Sequence, residues 1–166
     1  MDPFFVRLES TALSTWIRDA PTVWAFPAIL TCHTIGMGIV AGINAAIALR
    51  ILGVAPTVPV GEMKRFLPAM WFGFWLNAVS GVLLLIAYPT KALTNPLFYF
   101  KLTLIALAVW FVQLIGRRVF RFPIAPGAPM PGRAKAFAAG SIVLWAGAIT
   151  AGRLLAYTYT RLTAIP

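Results

Sequence analysis

Four apolar runs, each long enough to cross a bilayer, constrain this chain more than any other feature. A spanning helix needs about 20 predominantly apolar residues, and such runs fall at 22–52, 66–88, 96–115 and 136–157. Each boundary carries a physical stop signal. Pro21 precedes the first run and Arg50 and Gly53 close it, Pro89 follows the second, Asn95-Pro96 opens the third, and Gly116-Arg117-Arg118 ends it. Short connections between four helices make an all-α, up-and-down membrane bundle. Residues 1–166 read as one transmembrane domain with no soluble domain left over.

Charge is read in that light. The formal net charge is +10 on 166 residues of which only 11% are charged, and the cations punctuate apolar runs instead of forming a basic face, which argues against nucleic acid. The loops after spans one and three carry Arg50, Lys64, Arg65, Arg117, Arg118, Arg121, Arg133 and Lys135. The other side carries Arg7, Arg18, Lys91 and Arg161, diluted by Asp2, Glu9 and Asp19. Eight against four, with Lys101 and Arg153 set aside as embedded, places the basic loops in the cytoplasm and both termini in the periplasm of a bacterial inner membrane. That assignment accounts for most of the basic 117–135 stretch without a lipid or protein partner.

Before the first span, Phe5, Leu8, Ala12, Trp16 and Ile17 recur at helical spacing, which predicts a short interfacial helix over 3–18. An irregular segment is nearly as good a reading. Met1-Asp2-Pro3 is not a basic n-region, so a cleavable signal is not expected. Small residues recur every fourth position at Gly38, Gly42 and Ala46, at Gly147 and Ala151, and at Ala148 and Gly152. Such stripes suit helix contacts within the bundle, contacts in a homo-oligomer, or a flat cofactor. Trp24, Trp71, Trp75, Tyr88, Tyr157 and Tyr159 fall toward span ends, as an aromatic belt does.

The ionisable residues inside the spans are His33, Lys101 and Arg153, joined by the neutral Asn44, Asn77 and Gln113. Each charged group in hydrocarbon costs about 2.5 to 3.5 kcal/mol on insertion scales, which makes it a functional candidate. His33 lies roughly 16 Å along span one, and Asn44, close to three whole turns further, shares its face with Gly36 between them. A neutral imidazole beside a glycine suits the edge of a porphyrin with iron on the ring nitrogen. The plainer reading, which spacing alone favours, is a histidine satisfied by a carbonyl or by Asn77. Lys101 and Arg153 both lie some 7 to 8 Å below the outer surface, with no acid on any span. Snorkelling explains either one separately. Their shared depth above His33 turns the argument toward a bound anion such as a haem propionate.

Cys32, His33 and Met37 also form a C-H-x-x-x-M run with copper-binding donor types, although Cys32 points about 100° away from His33 on a helix. The single cysteine excludes a disulfide framework and a multi-cysteine metal site, and the single histidine excludes any mechanism needing two from one chain. No serine triad, carboxylate pair or phosphate loop is visible, so the sequence commits to no enzyme activity.

Trp24-Ala25-Phe26-Pro27, Cys32-His33-Thr34-Ile35-Gly36-Met37-Gly38, Asn95 to Leu102 and Gly152-Arg153 together resemble a family of four-helix bacterial membrane proteins, distantly similar to the copper-resistance D family and to b-type membrane cytochromes. The resemblance implies an axial-ligand role for His33 and a recurring third-span lysine at Lys101. A second histidine, often found near the end of that span in such proteins, is replaced here by Gln113-Leu114-Ile115-Gly116-Arg117. The expectation is therefore one haem b per chain, ligated by His33, with Gly36, Asn44, Asn77, Lys101 and Arg153 around it and metal contact through His33 alone. One-electron exchange would be with quinone or a periplasmic redox protein. A copper or small-solute permease lined by Cys32, His33, Met37 and Asn77, and a cofactor-free structural subunit, are the competing expectations.

Overall fold

The computed structural model describes residues 3–120 and 130–162, apart from the side chains of Pro3, Phe5 and 159–162. Arg121 of the basic loop, Met1 and Asp2 lie outside the described residues, as do the side chains of Tyr159 and Arg161. Described residues form seven α-helices and one 3-10 segment. They are α1 (Pro3–Glu9), α2 (Ala12–Asp19), α3 (Phe26–Leu52), α4 (Leu67–Ala87, led in by a 3-10 turn over Val60–Phe66), α5 (Pro89–Leu93), α6 (Pro96–Arg118) and α7 (Gly132–Leu162). Four of them, α3, α4, α6 and α7, are long and apolar enough to cross a membrane. The chain is an all-α, multi-pass membrane bundle.

The boundaries follow local chemistry. Pro27 and Pro68 stand in the first turns of α3 and α4, where a missing N–H costs nothing. Gly53, at φ 113°, ends α3 by donating to Leu49 O and Arg50 O, while Val54 N reaches back to Leu49 O, a left-handed cap that glycine adopts without strain. The Arg50 guanidinium then holds the following loop through Val58 O and Pro56 O. Asn95 caps α6, its side chain accepting from Leu97 N at 3.0 Å, and donates to Thr158 Oγ1 of α7 at 2.9 Å.

Two stretches differ from the sequence reading. The single helix expected over 3–18 is two helices, because Thr11 caps a new one by accepting from Ser14 N, and the hydroxyls of Ser10 and Thr11 turn back onto Arg7 O and Leu8 O. Its inward face is Ser14 and Ile17, both fully buried, while Trp16 is 47% exposed. The last helix runs from Gly132 to Leu162, and its candidate membrane span is Gly132–Thr158, which starts one turn before the expected 136–157.

α3 packs with α4, α6 with α7, and α3 with α7 across the middle. The α3–α4 crossing is closest at Gly36 and Gly73: a Cβ on Gly36 would lie 2.7 Å from both Asn77 N and Gly73 O. By contrast, Gly38 and Gly42 have nothing within 4 Å of such an atom and face away from the bundle. The α7 stripe does pack inward, with Gly147 against Leu104 and Gly152 against Lys101. Apolar packing forms one cluster around Ile47, Ile51, Val60, Ile115 and Ala138, toward the far end of α3. A second cluster, of Val40, Met70, Ala108, Val112 and Trp145, fills the middle. Neither reaches the first turns of α3, and there the bundle opens.

Candidate functional site

The opening is a cavity of about 440 Å³, lined from every spanning helix and from α5. Its lining is mostly apolar, and the polar groups in it are His33 of α3, Lys101 of α6, Lys91 of α5 and Tyr88 at the end of α4. Among the described residues that line it, none is acidic. The volume falls in the range of about 300 to 1,000 Å³ typical of small-molecule and cofactor sites.

His33 is held by α4. Its Nδ1 lies 3.0 Å from Asn77 O and 3.2 Å from Ser80 Oγ. A backbone carbonyl only accepts, so Nδ1 carries the proton, and in the neutral ring Nε2 then keeps its lone pair. The Asn77 side chain returns the bond, Nδ2 donating to His33 O at 2.7 Å. Ser80 itself donates to Leu76 O at 2.6 Å. The ring lies over Gly81, where a Cβ would be 3.1 Å from His33 Cε1. An imidazole with Nδ1–H fixed on a carbonyl and Nε2 bare is the arrangement in which histidine ligates a metal.

Lys101 extends across the face of Gly152, whose added Cβ would be 3.3 Å from both Cε and Nζ. It is half-buried and has no hydrogen bond or ion pair among the described residues. Arg153, its expected companion, takes a different direction. It is exposed, its guanidinium sits 5.9 Å from the Tyr157 ring centroid, and it does not line the cavity. Neighbouring residues on α7 differ by about 100° around the axis, so Gly152 facing α6 turns Arg153 away.

Of the remaining expected residues, Asn77 positions His33, and Gly36 sits at the helix crossing instead of on the cavity wall. Asn44 is buried, 3% exposed, with its Nδ2 unpartnered, but does not line the cavity. Cys32 is exposed and, as the next residue along the helix, points about 100° away from His33, so the thiol and the imidazole do not face one site. No group of three or more His, Cys, Asp and Glu comes together among the described residues. Residues that sequence reasoning passed over are Ser80, Gly81, Tyr88 and Lys91. The one available signal was Gly81 four residues after Asn77, on the same helical face.

A second cavity, of about 470 Å³, lies beside the first and is lined by Val6, Glu9, Ser10 and Arg18 of the N-terminal helices. It shares Tyr88 and Lys91 with the deeper one. Glu9 Oε1 accepts from Thr90 N, and Ser14 and Arg18 donate to Ala87 O, so α1 and α2 are tied to the end of α4.

No protein-family model, curated protein or solved structure matches this chain. The chain is a membrane-embedded helical bundle with a histidine- and lysine-lined cavity, and none of these comparisons supports the expected likeness to copper-resistance D proteins or b-type cytochromes.

Proposed function

We propose that the chain is a bacterial inner-membrane haem b protein, with both termini periplasmic, that exchanges single electrons with quinone or a periplasmic redox protein. The observation that carries this reading is the His33 imidazole, fixed through Nδ1 on Asn77 O and lining a cavity of about 440 Å³. The residues fit the group in three respects. Nε2 is the available donor, Gly81 removes side-chain bulk beside the ring, and Lys101 provides a positive charge in the same cavity. Haem held there supplies one-electron redox chemistry whose potential depends on its axial ligand and surroundings. His33 would bind iron, Asn77 and Ser80 would hold the imidazole plane, and Lys101 would receive a carboxylate.

The test is the visible spectrum of the purified protein after expression with ample haem. A Soret band with a reducible α band is expected, lost in His33→Ala and partly restored by added imidazole. A colourless wild type, or a variant that keeps the full spectrum, refutes the proposal.

A further inference from the structure

We infer that the cavity recognises its ligand by carboxylates, and that the cations receiving them are Lys101 and Lys91. The ligand class is an apolar, flat-bodied molecule with carboxylates along one edge. This deepens the haem reading and rests on it for the porphyrin body, while being independent of the iron–histidine bond.

Three observations carry it. Lys101 is a span lysine drawn inward over Gly152, with no partner among the described residues, in a cavity whose described lining has no acid. An ammonium in that setting is stabilised by an anion entering beside it, and a charge-assisted bond there is stronger than in water. Lys91 is the other lysine lining the same cavity, and it also lines the neighbouring cavity under α1 and α2. Around them the wall is hydrocarbon: Phe26, Leu30, Leu84, Leu85 and Leu155. A basic edge joined to an apolar body fits a dicarboxylate amphiphile better than a neutral quinone or a bare inorganic anion. Arg153, facing elsewhere over Tyr157, has no part in it.

The experiment uses the full chain in nanodiscs of zwitterionic lipid, titrated with metal-free protoporphyrin IX and with its dimethyl ester, empty nanodiscs serving as reference. Free acid is expected to bind wild type about tenfold more tightly than the ester, the equivalent of about 1.4 kcal/mol. Lys101→Met and Lys91→Met should each reduce that preference to roughly threefold or less, Lys101→Arg should retain it, and Arg153→Met should leave it unchanged. Monodisperse elution and native helical content establish that each variant is folded. Equal binding of acid and ester by wild type overturns the inference, as does a preference abolished by Arg153→Met and kept in both lysine variants. A lysine-dependent preference for the metal-free acid, with no His33-dependent haem spectrum, upholds this inference and removes the haem reading. A His33-dependent spectrum without the carboxylate preference does the reverse.

Discussion

Asn77 and His33 hold each other by reciprocal bonds: the Asn77 carbonyl accepts from His33 Nδ1 at 3.0 Å, and the Asn77 amide donates to the His33 carbonyl at 2.7 Å. One residue on α4 thereby fixes both the ring of His33 and the backbone it hangs from. The acceptor for Nδ1 is main chain, so it survives any substitution at 77, whereas the bond to His33 O does not. Asn77→Leu is therefore expected to lower bundle stability by about 1 kcal/mol and to weaken haem retention less than His33→Ala does. Unfolding in a graded denaturing-detergent titration checks the first part and haem absorbance the second. A loss of absorbance equal to that of His33→Ala would show that the side chain, and not the carbonyl, sets the ring.

The α3–α4 crossing predicts a contrast between two glycines on one helix. Gly36→Ala puts a Cβ 2.7 Å from backbone atoms of Asn77 and Gly73, which cannot rotate away. The helices must separate, at a cost of about 1 to 3 kcal/mol. Gly38→Ala meets nothing within 4 Å and should be neutral or stabilising by up to about 1 kcal/mol through helix propensity. The same detergent titration on both variants checks this. Equal destabilisation would place the Gly38 face in a contact outside the chain.

How much of this was legible in the sequence depends on what each residue's signal is made of. The spans and the three embedded ionisable residues were legible, because polarity inside an apolar run is a local property of the chain. Asn77 was legible as a partner of His33 for the same reason. Gly81 and Ser80 were not, since small residues are ordinary in membrane helices and only the neighbour they face gives them a role. Lys91 reads as a headgroup-level charge until α5 turns it toward the cavity. Arg153 and Lys101 have the same depth from the sequence, yet their faces depend on the rotation of α7 against α6, a tertiary property fixed by Gly147 and Gly152 packing inward. Apolar spacing predicts one continuous N-terminal helix because it carries across Ser10-Thr11, where hydroxyl capping is the stronger local force.

Orientation is testable at described positions. In a Cys32→Ser background, Val23→Cys near the start of α3 should react with a membrane-impermeant maleimide in cells with a permeable outer membrane. Glu62→Cys, in the turn that carries Lys64 and Arg65, should react only after the inner membrane is opened. Both side chains are exposed, so access depends on the side of the bilayer. The opposite pattern would invert the chain and move the cavity to the cytoplasmic leaflet.

The last prediction concerns how Lys101 is kept in register. Asn95 stands six residues before Lys101, caps α6 through Leu97 N, and is bonded to Thr158 of α7, six residues after Gly152. The pair thus ties the start of α6 to α7 at the level just beyond the place where Lys101 crosses Gly152. Asn95→Ala removes both functions and should cost about 1 to 2 kcal/mol, most of it from the cap. Thr158→Val removes the bond between helices together with the hydroxyl's long 3.4 Å bond to Leu155 O and should cost about 0.6 kcal/mol, the average for interhelical hydrogen bonds in a bilayer. Because Asn95→Ala already breaks the interhelical bond, adding Thr158→Val to it should cost little more, giving a coupling of about 0.6 kcal/mol in a double-mutant cycle read by detergent unfolding. Strict additivity would mean that side-chain packing, such as Phe111 on Gly140 and Leu104 on Gly147, holds the two helices in register, with Asn95 acting solely as a cap.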